Sequence, residues 1–450
     1  MTFTELRQQY PEFVFGGYSS RYEDGRLHVT YSFEIPGLSS FAPEWSIPCA
    51  EPDAEDPALK RLIFSLGMAE LVSYWKITCA PTVRLPQQIT PEQAAWWKRL
   101  YFGGLGEFFY RNGIETDSDS FMTLESGAAM LPDTPAEKPL SGKLIPVGGG
   151  KDSIVTLNLL REQLSDAFAY QINHRDSSEK AALLAGIPQE RILEPKRTLD
   201  PNMLALNARG FLNGHTPFSA IVAFSAVLTA YLHGLQSVIL SNESSASEST
   251  VSEQEVNHQY SKSYQFERDF YAYERDYLKT GIRYFSLLRP LTEFQIARYF
   301  AALPTAYHEI FRSCNAGAKQ DQWCGHCAKC LFVAVILSPF LPYREIVRLL
   351  GSDLFNLPEM RPILQELCGA LPNKPFECVG SRHEVNIALC LAVNRNRDAL
   401  PLLLREYAET PLYAQYAEEA AQFGGEWDEQ HNLPQELAAL VRQECVDAFQ

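Results

Sequence analysis

Residues 143–153 read Lys-Leu-Ile-Pro-Val-Gly-Gly-Gly-Lys-Asp-Ser, and this stretch limits the possible folds most. A short apolar run enters three consecutive glycines, and Lys151-Asp152-Ser153 then opens a strongly apolar segment, Ile154 to Leu160. That order is strand, glycine turn, helix. Glycines let backbone N–H groups approach an anion closely, and the helix start adds unpaired donors and the positive end of its dipole. Gly148, Gly149 and Gly150 thus form a phosphate cradle, to which Lys151 adds a charge, Ser153 a hydroxyl and Asp152 a carboxylate suited to Mg²⁺. A Walker A loop is excluded because Asp152 follows the lysine, and the Gly-x-Gly-x-x-Gly dinucleotide fingerprint is absent.

The surrounding sequence alternates short apolar runs with helical patterns. Strands are expected at 143–147, 167–173, 191–194 and 236–241, with helices at 151–164, 177–186 and 217–233. Such alternation means βαβ units and a parallel sheet, whose ligands sit at the carboxyl ends of the strands. Those ends are Gly148–Ser153, Asn173-His174-Arg175 and Ser241-Asn242-Glu243-Ser244. Before them, Phe13–Ser20 and the alternation of Leu27, Val29, Tyr31, Phe33 and Ile35 around Asp24-Gly25 predict an antiparallel hairpin. Helices follow from Pro57 and from the Thr90-Pro91-Glu92-Gln93 capping box. Residues 115–140 read as a linker. The expected fold class is α/β, divided into an N-terminal α+β domain (1–135), a parallel-sheet domain carrying the cysteine cluster (136–340) and a helical C-terminal region (341–450). The uncharged run Phe218 to Leu235 nearly reaches spanning length, but Ser219, Ser225, Thr229 and His233 interrupt it and mark a buried core helix.

The formal net charge is −16 over 450 residues, which argues against a nucleic-acid partner held by a broad basic face. No basic leader precedes an apolar core at the N-terminus, so no signal peptide is expected, and clustered cysteines suit a reducing compartment, so a cytoplasmic protein is expected, with no membrane and no obligate protein partner indicated. Four of the ten cysteines cluster as Cys314, Cys324, Cys327 and Cys330, a spacing that brings thiolates to one point. A closed four-cysteine zinc site would be structural, His326 is an alternate ligand, and Cys314 standing apart would be a catalytic thiol. Four reduced thiols without metal are the bland alternative.

Arg209 and His215, in Asn207–Pro217, could meet an anionic substrate or merely form a turn and helix start. Ser241–Ser249, with Asn242, Glu243 and Glu248, is polar at a strand end. Asn257–Ser263 gathers His258, Lys262 and hydroxyls. Gly380-Ser381-Arg382-His383-Glu384 has a similar polar density in the helical tail.

The glycine turn resembles the SGGxDS loop of the ATP-pyrophosphatase (PP-loop) enzymes, although the family's first serine is Gly148 here. The cysteine spacing is similar to the zinc site of the PP-loop enzyme 7-cyano-7-deazaguanine synthase. Gly16–Ser20, Gly148–Ser153, Asn207–Pro217, Asn242–Ser244, Val256–Ser263, Leu288–Leu291 and Trp323–Cys330 together resemble one family in that class, the UDP-N-acetylmuramoyl-L-alanyl-L-glutamate epimerase (MurL) family. The resemblance implies a PP-loop (HUP, adenine-nucleotide alpha-hydrolase-like) core. It also implies ATP-dependent epimerisation of the terminal L-Glu of UDP-MurNAc-L-Ala-L-Glu through an acyl-adenylate, with AMP and pyrophosphate released. Gly148, Gly149, Gly150, Lys151, Ser153 and His174 would then contact ATP and Asp152 would help hold Mg²⁺. Arg209, Asn242, Lys262 and Arg289 would bind substrate, and His174, His215, His258, Glu243, Glu248 and Cys314 are acid/base candidates, His258 and His215 foremost. The rivals are a PP-loop amide, nitrile or sulfur transferase acting on a nucleobase or tRNA, and a nucleotide-binding regulator without turnover.

Overall fold

The computed structural model describes residues 1–247 and 260–449. Among these, the strands form a seven-stranded and a five-stranded sheet, and the chain divides into two compact units. Unit 1 comprises 1–144, 193–238 and 256–284; unit 2 comprises 145–192, 239–255 and 285–450. The units interleave along the chain, a division drawn along other lines than the three consecutive domains expected from sequence (1–135, 136–340, 341–450). The α/β class and the helical C-terminal region are as expected.

Unit 1 is built on the hairpin Glu12–Glu23 and Arg26–Ile35, turned at Asp24-Gly25, where both residues have positive φ (50° and 73°) as a two-residue hairpin turn requires. The period-two residues Leu27, Val29, Tyr31, Phe33 and Ile35 are all buried. The seven strands run Lys196–Thr198, Glu44–Pro48, Arg26–Ile35, Glu12–Glu23, Thr82–Arg84 and Thr123–Glu125, with Ser39–Phe41 beside Arg26–Ile35. Helix Pro57–Trp75 is capped by Asp56 and packs on this sheet at Gly67, where a Cβ would lie 2.6 Å from the rings of Phe15 and Tyr31. The added strand brings Arg197 to Glu70, which also accepts from the Trp45 indole (2.8 Å). Glu70 is fully buried and Arg197 half-buried, and both have further hydrogen-bond partners, as charge taken out of water requires.

The apolar run materialises as helix Phe218–Leu232, and its hydroxyls bond within the helix: Ser225 to the Ile221 carbonyl (2.6 Å) and Thr229 to that of Ser225 (2.8 Å). Among the described residues no helix is long and apolar enough to cross a membrane.

The five-stranded sheet has the order Arg283–Ser286, Ser237–Leu240, Lys143–Pro146, Ala167–Tyr170, Ile192–Leu193. Ser237–Leu240 pairs parallel with Lys143–Pro146. The carboxyl ends of the first four strands belong to unit 2, together with all the helices after residue 285. Helix Ala328–Leu337 is wholly buried, and Arg382–Arg395, opened by a Ser381/Glu384 capping box, packs against it. Helix 151–164 is shorter than expected: it ends at Leu159 and tightens into a 3₁₀ stretch, Arg161–Asp166.

Candidate active site

The glycine turn leaves strand Lys143–Pro146 and enters helix Lys151–Leu159 with Gly150 at its N-cap. The three glycines are not equivalent. Gly149 has φ 77° and a Cβ there would sit 2.2 Å from the Ser177 hydroxyl, whereas a Cβ at Gly148 would have nothing within 4 Å. The missing serine at 148 therefore reflects no steric bar. Ser153 turns its hydroxyl back onto the Gly150 carbonyl (3.0 Å).

Lys151 is 2 % exposed, and its ammonium pairs with Asp152 and Glu293. Carboxylate oxygens of Asp152, Glu243 and Glu293 all lie within 4.8 Å of one another. The convergence of strand ends thus brings Asp152 and Glu243 together, and adds Glu293, which the sequence reading missed. Its position in the first turn after the Thr292 capping box looks like ordinary helix-start chemistry. Only its burial, at 2 % exposure, sets it apart. Burial pushes Glu293 up to about 7; Lys151 opposes this, and Asp152 and Glu243 add to it. Burial acts to depress Lys151, but the two carboxylates outweigh it and raise the ammonium. Carboxylate oxygens from three residues converging within 4.8 Å make an all-oxygen donor set that fits a divalent cation.

The loop after Ser237–Leu240 is anchored from below: Arg289, 1 % exposed, donates to the Glu243 carbonyl (2.6 Å), and Ser286 donates to the Asn242 carbonyl (2.7 Å). Arg289 thereby positions Glu243. His174 is half-exposed, with Nε2 2.9 Å from Asp176.

The cysteines close as expected. Sγ separations are 3.8 Å for Cys314–Cys327, 3.7 Å for Cys324–Cys330 and 3.6 Å for Cys327–Cys330. Tetrahedral zinc with bonds of about 2.3 Å requires about 3.8 Å between sulfurs, so the four residues fit that metal. Cys314 also accepts N–H groups from Gly317 (3.1 Å) and Cys324 (3.3 Å), and burial raises its thiol. It belongs to the cluster rather than standing apart as a lone nucleophile. His326 instead turns its Nδ1 to the Cys324 carbonyl (2.8 Å).

In unit 1, Arg209 is exposed and lies over Phe211 (5.6 Å) at the end of helix Pro201–Ala208. His215 Nδ1 is 3.3 Å from Glu107, a partner with no sequence signal. The loop carrying it is pinned by Asn112, which donates to the Asn213 carbonyl (3.1 Å), and by Lys76, which donates to the Gly214 carbonyl and the Thr216 hydroxyl. Burial lowers Lys76 to about 8, with Arg197 adding to the effect. Lys262 lies half-buried in the 3₁₀ turn Tyr260–Lys262. His258 and Glu248 fall outside the described residues.

Fold and site together define the class: an α/β protein whose glycine turn opens a helix beside a carboxylate trio, two of its members buried, with a four-cysteine cluster in the same unit. A family model described as the MurL N-terminal domain matches residues 4–287, and one described as the MurL C-terminal domain matches 310–421. A UDP-N-acetyl-alpha-D-muramoyl-L-alanyl-L-glutamate epimerase of Salinispora tropica is 36% identical over 392 residues, covering 84% of either chain. The epimerase of the same name from a Micromonospora species is 34% identical over 96% of this chain and 98% of its own. That of Xanthomonas oryzae pv. oryzae is 33% identical over 83% and 84%. No solved structure matches the chain. The chain belongs to the MurL family.

Proposed function

We propose that this protein is a cytoplasmic, ATP-dependent epimerase with a PP-loop core. It converts the terminal L-glutamate of UDP-MurNAc-L-Ala-L-Glu to the D form in peptidoglycan precursor synthesis. Its relatives' names support the substrate and the inversion. The observation that carries the nucleotide chemistry is the convergence within 4.8 Å of Asp152, which follows the glycine turn, with Glu243 and Glu293.

An ionised carboxylate makes its neighbouring Cα–H a very poor acid, because a second negative charge must develop beside the first. The substrate's α-carboxylate attacks the α-phosphorus of ATP, forming an acyl-adenylate and expelling pyrophosphate. The charge is gone, and the acyl carbonyl now withdraws electrons from Cα. A base removes the proton on one face, an acid returns one on the other, and hydrolysis releases AMP and the D-glutamyl product. Each 1.4 kcal/mol taken off this barrier is worth about tenfold in rate.

In this reading the glycine turn binds the β,γ-phosphates, and Asp152, Glu243 and Glu293 would hold Mg²⁺, which neutralises phosphate charge when bound. Lys151 holds two of those carboxylates in place. The Cys314/Cys324/Cys327/Cys330 site would hold structural zinc. Arg209 and Lys262 are assigned to substrate anions. His215, oriented by Glu107, and His258 are assigned to proton transfer.

Incubation with UDP-MurNAc-L-Ala-L-Glu, ATP and Mg²⁺ in D₂O tests the scheme. AMP, pyrophosphate, D-glutamate and Cα deuterium are expected together. Inversion without nucleotide, or a stoichiometric demand for ammonia or sulfur, would overturn it. A His215→Ala variant should still release pyrophosphate but exchange the Cα proton about 10²–10⁴-fold more slowly.

A further inference from the structure

Two contacts tie the glycine turn to the cysteine segment. The Arg312 N–H, two residues before Cys314, donates to the Gly149 carbonyl at 2.7 Å. Ser177, whose hydroxyl walls Gly149, is held by Asp321: its N–H donates to one carboxylate oxygen at 2.6 Å and its hydroxyl to the other at 2.7 Å. Asp321 lies between Cys314 and Cys324 and has φ 50°, a left-handed conformation that Asp adopts more readily than most residues.

That loop closes on sulfur. The N–H groups of Gly317 and Cys324 both donate to Cys314 Sγ, and the Gln322 N–H donates to the Gly317 carbonyl at 3.1 Å. The Gly317 position admits no side chain, since a Cβ would meet the Gln322 carbonyl at 2.0 Å. Whatever fixes the four sulfurs therefore fixes Asp321, and through Ser177 the wall of Gly149. A bond from metal to thiolate is far stronger than N–H···S contacts, so metal binding supplies the order that this loop would otherwise lack.

We propose that a metal ion on Cys314, Cys324, Cys327 and Cys330 sets the anion affinity of the glycine turn through the Asp321–Ser177 and Arg312–Gly149 contacts. This rests on the reading of those cysteines as a zinc site and of the turn as a triphosphate site. Asp321 is a positioning residue, since both its oxygens are engaged by Ser177.

The test compares zinc-replete and chelator-stripped full-length protein, wild type and Asp321→Asn, by metal content and by calorimetric binding of MgATP. Asparagine tolerates the left-handed backbone and can accept from the Ser177 N–H, but it removes the charge that strengthens both bonds and can meet the Ser177 hydroxyl only by donating to it, which turns that hydroxyl round. Asp321→Asn is expected to keep its zinc yet bind MgATP about tenfold more weakly, or 1.4 kcal/mol. Stripping should weaken the wild type by a similar factor and the variant little further. A merely structural residue would not produce that non-additivity. Zinc-replete Asp321→Asn binding MgATP like wild type, or stripped wild type binding like replete, overturns the proposal. Replete wild type that holds no zinc, or binds no MgATP, overturns the functional reading beneath it. Should stripping unfold the chain, as circular dichroism would reveal, the zinc-replete Asp321→Asn comparison decides.

Discussion

Replacing Gly149 by alanine tests the geometry of the turn at its tightest point. At φ 77° an L-residue costs about 1–2 kcal/mol in the left-handed region. The new Cβ would also lie 2.2 Å from the Ser177 hydroxyl, 2.9 Å from its Cβ and 3.1 Å from the Ser178 nitrogen. The hydroxyl can move aside only by giving up its bond to the Asp321 carboxylate, worth about 1.5–3 kcal/mol, or the turn itself must shift against a packed wall at about 1–3 kcal/mol. These last two costs are alternatives, so the expected loss is about 2–5 kcal/mol rather than their full sum. Gly148 is the internal control. With nothing within 4 Å of its Cβ and no positive φ, Gly148→Ser should change stability by no more than about 0.5 kcal/mol. Urea unfolding and MgATP calorimetry on Gly148→Ser, Gly149→Ala and Gly149→Ala/Ser177→Ala form the assay. In the double variant the clashing hydroxyl and its bond to Asp321 go together while the Ser177 Cβ at 2.9 Å remains, so removing the hydroxyl should cost little beyond Gly149→Ala. If Gly149→Ala unfolds and binds nucleotide like Gly148→Ser, the account of the turn is wrong.

Glu293→Gln keeps the shape of the carboxylate trio and removes one charge. Mg²⁺ affinity should fall about 10–100-fold by titration with zinc content unchanged, and an unaltered Mg²⁺ dependence would exclude Glu293 as a ligand. Cys327→Ser should release zinc to a chelating dye and lower the urea midpoint, while Cys368→Ser, buried outside the cluster, should leave the zinc content alone; equal metal content in both refutes the site. Lys76 gives a pH signature. Its folded-state pKa of about 8 lies below the ordinary 10.5, so the unfolded chain binds more protons between those values and stability rises with pH across that window. The rise is about 3 kcal/mol. The difference in unfolding free energy between wild type and Lys76→Met should therefore climb from pH 8 to 10.5, and a flat difference would refute the burial argument.

Much of the local order follows from short-range pattern. The Lys151-Asp152-Ser153 helix start, the Asp24-Gly25 hairpin and the capping boxes at Thr90 and Thr292 need only a few neighbouring residues to be specified, and each forms where its pattern lies. The cysteine spacing likewise predicted that four sulfurs would meet, because two-residue gaps leave a chain little choice. The alternation of strand and helix also predicted that Asp152 and Glu243 would face one region. Tertiary packing alone decided the remainder. Glu293 looks like a helix-start acid until burial beside Lys151 makes it part of the trio. Glu107, Asp321 and Ser177 carry no motif, since their roles arise from contacts 108, 144 and 28 residues away in sequence, with His215, Ser177 and Gly149 respectively. The interleaving of the two units was hidden for the same reason. A run such as Lys196–Thr198 reads as polar loop until the edge of an N-terminal strand supplies its hydrogen bonds. Sequence specified what each segment can become, and the choice of partner, with the charge and burial that partner imposes, was made only when distant segments packed.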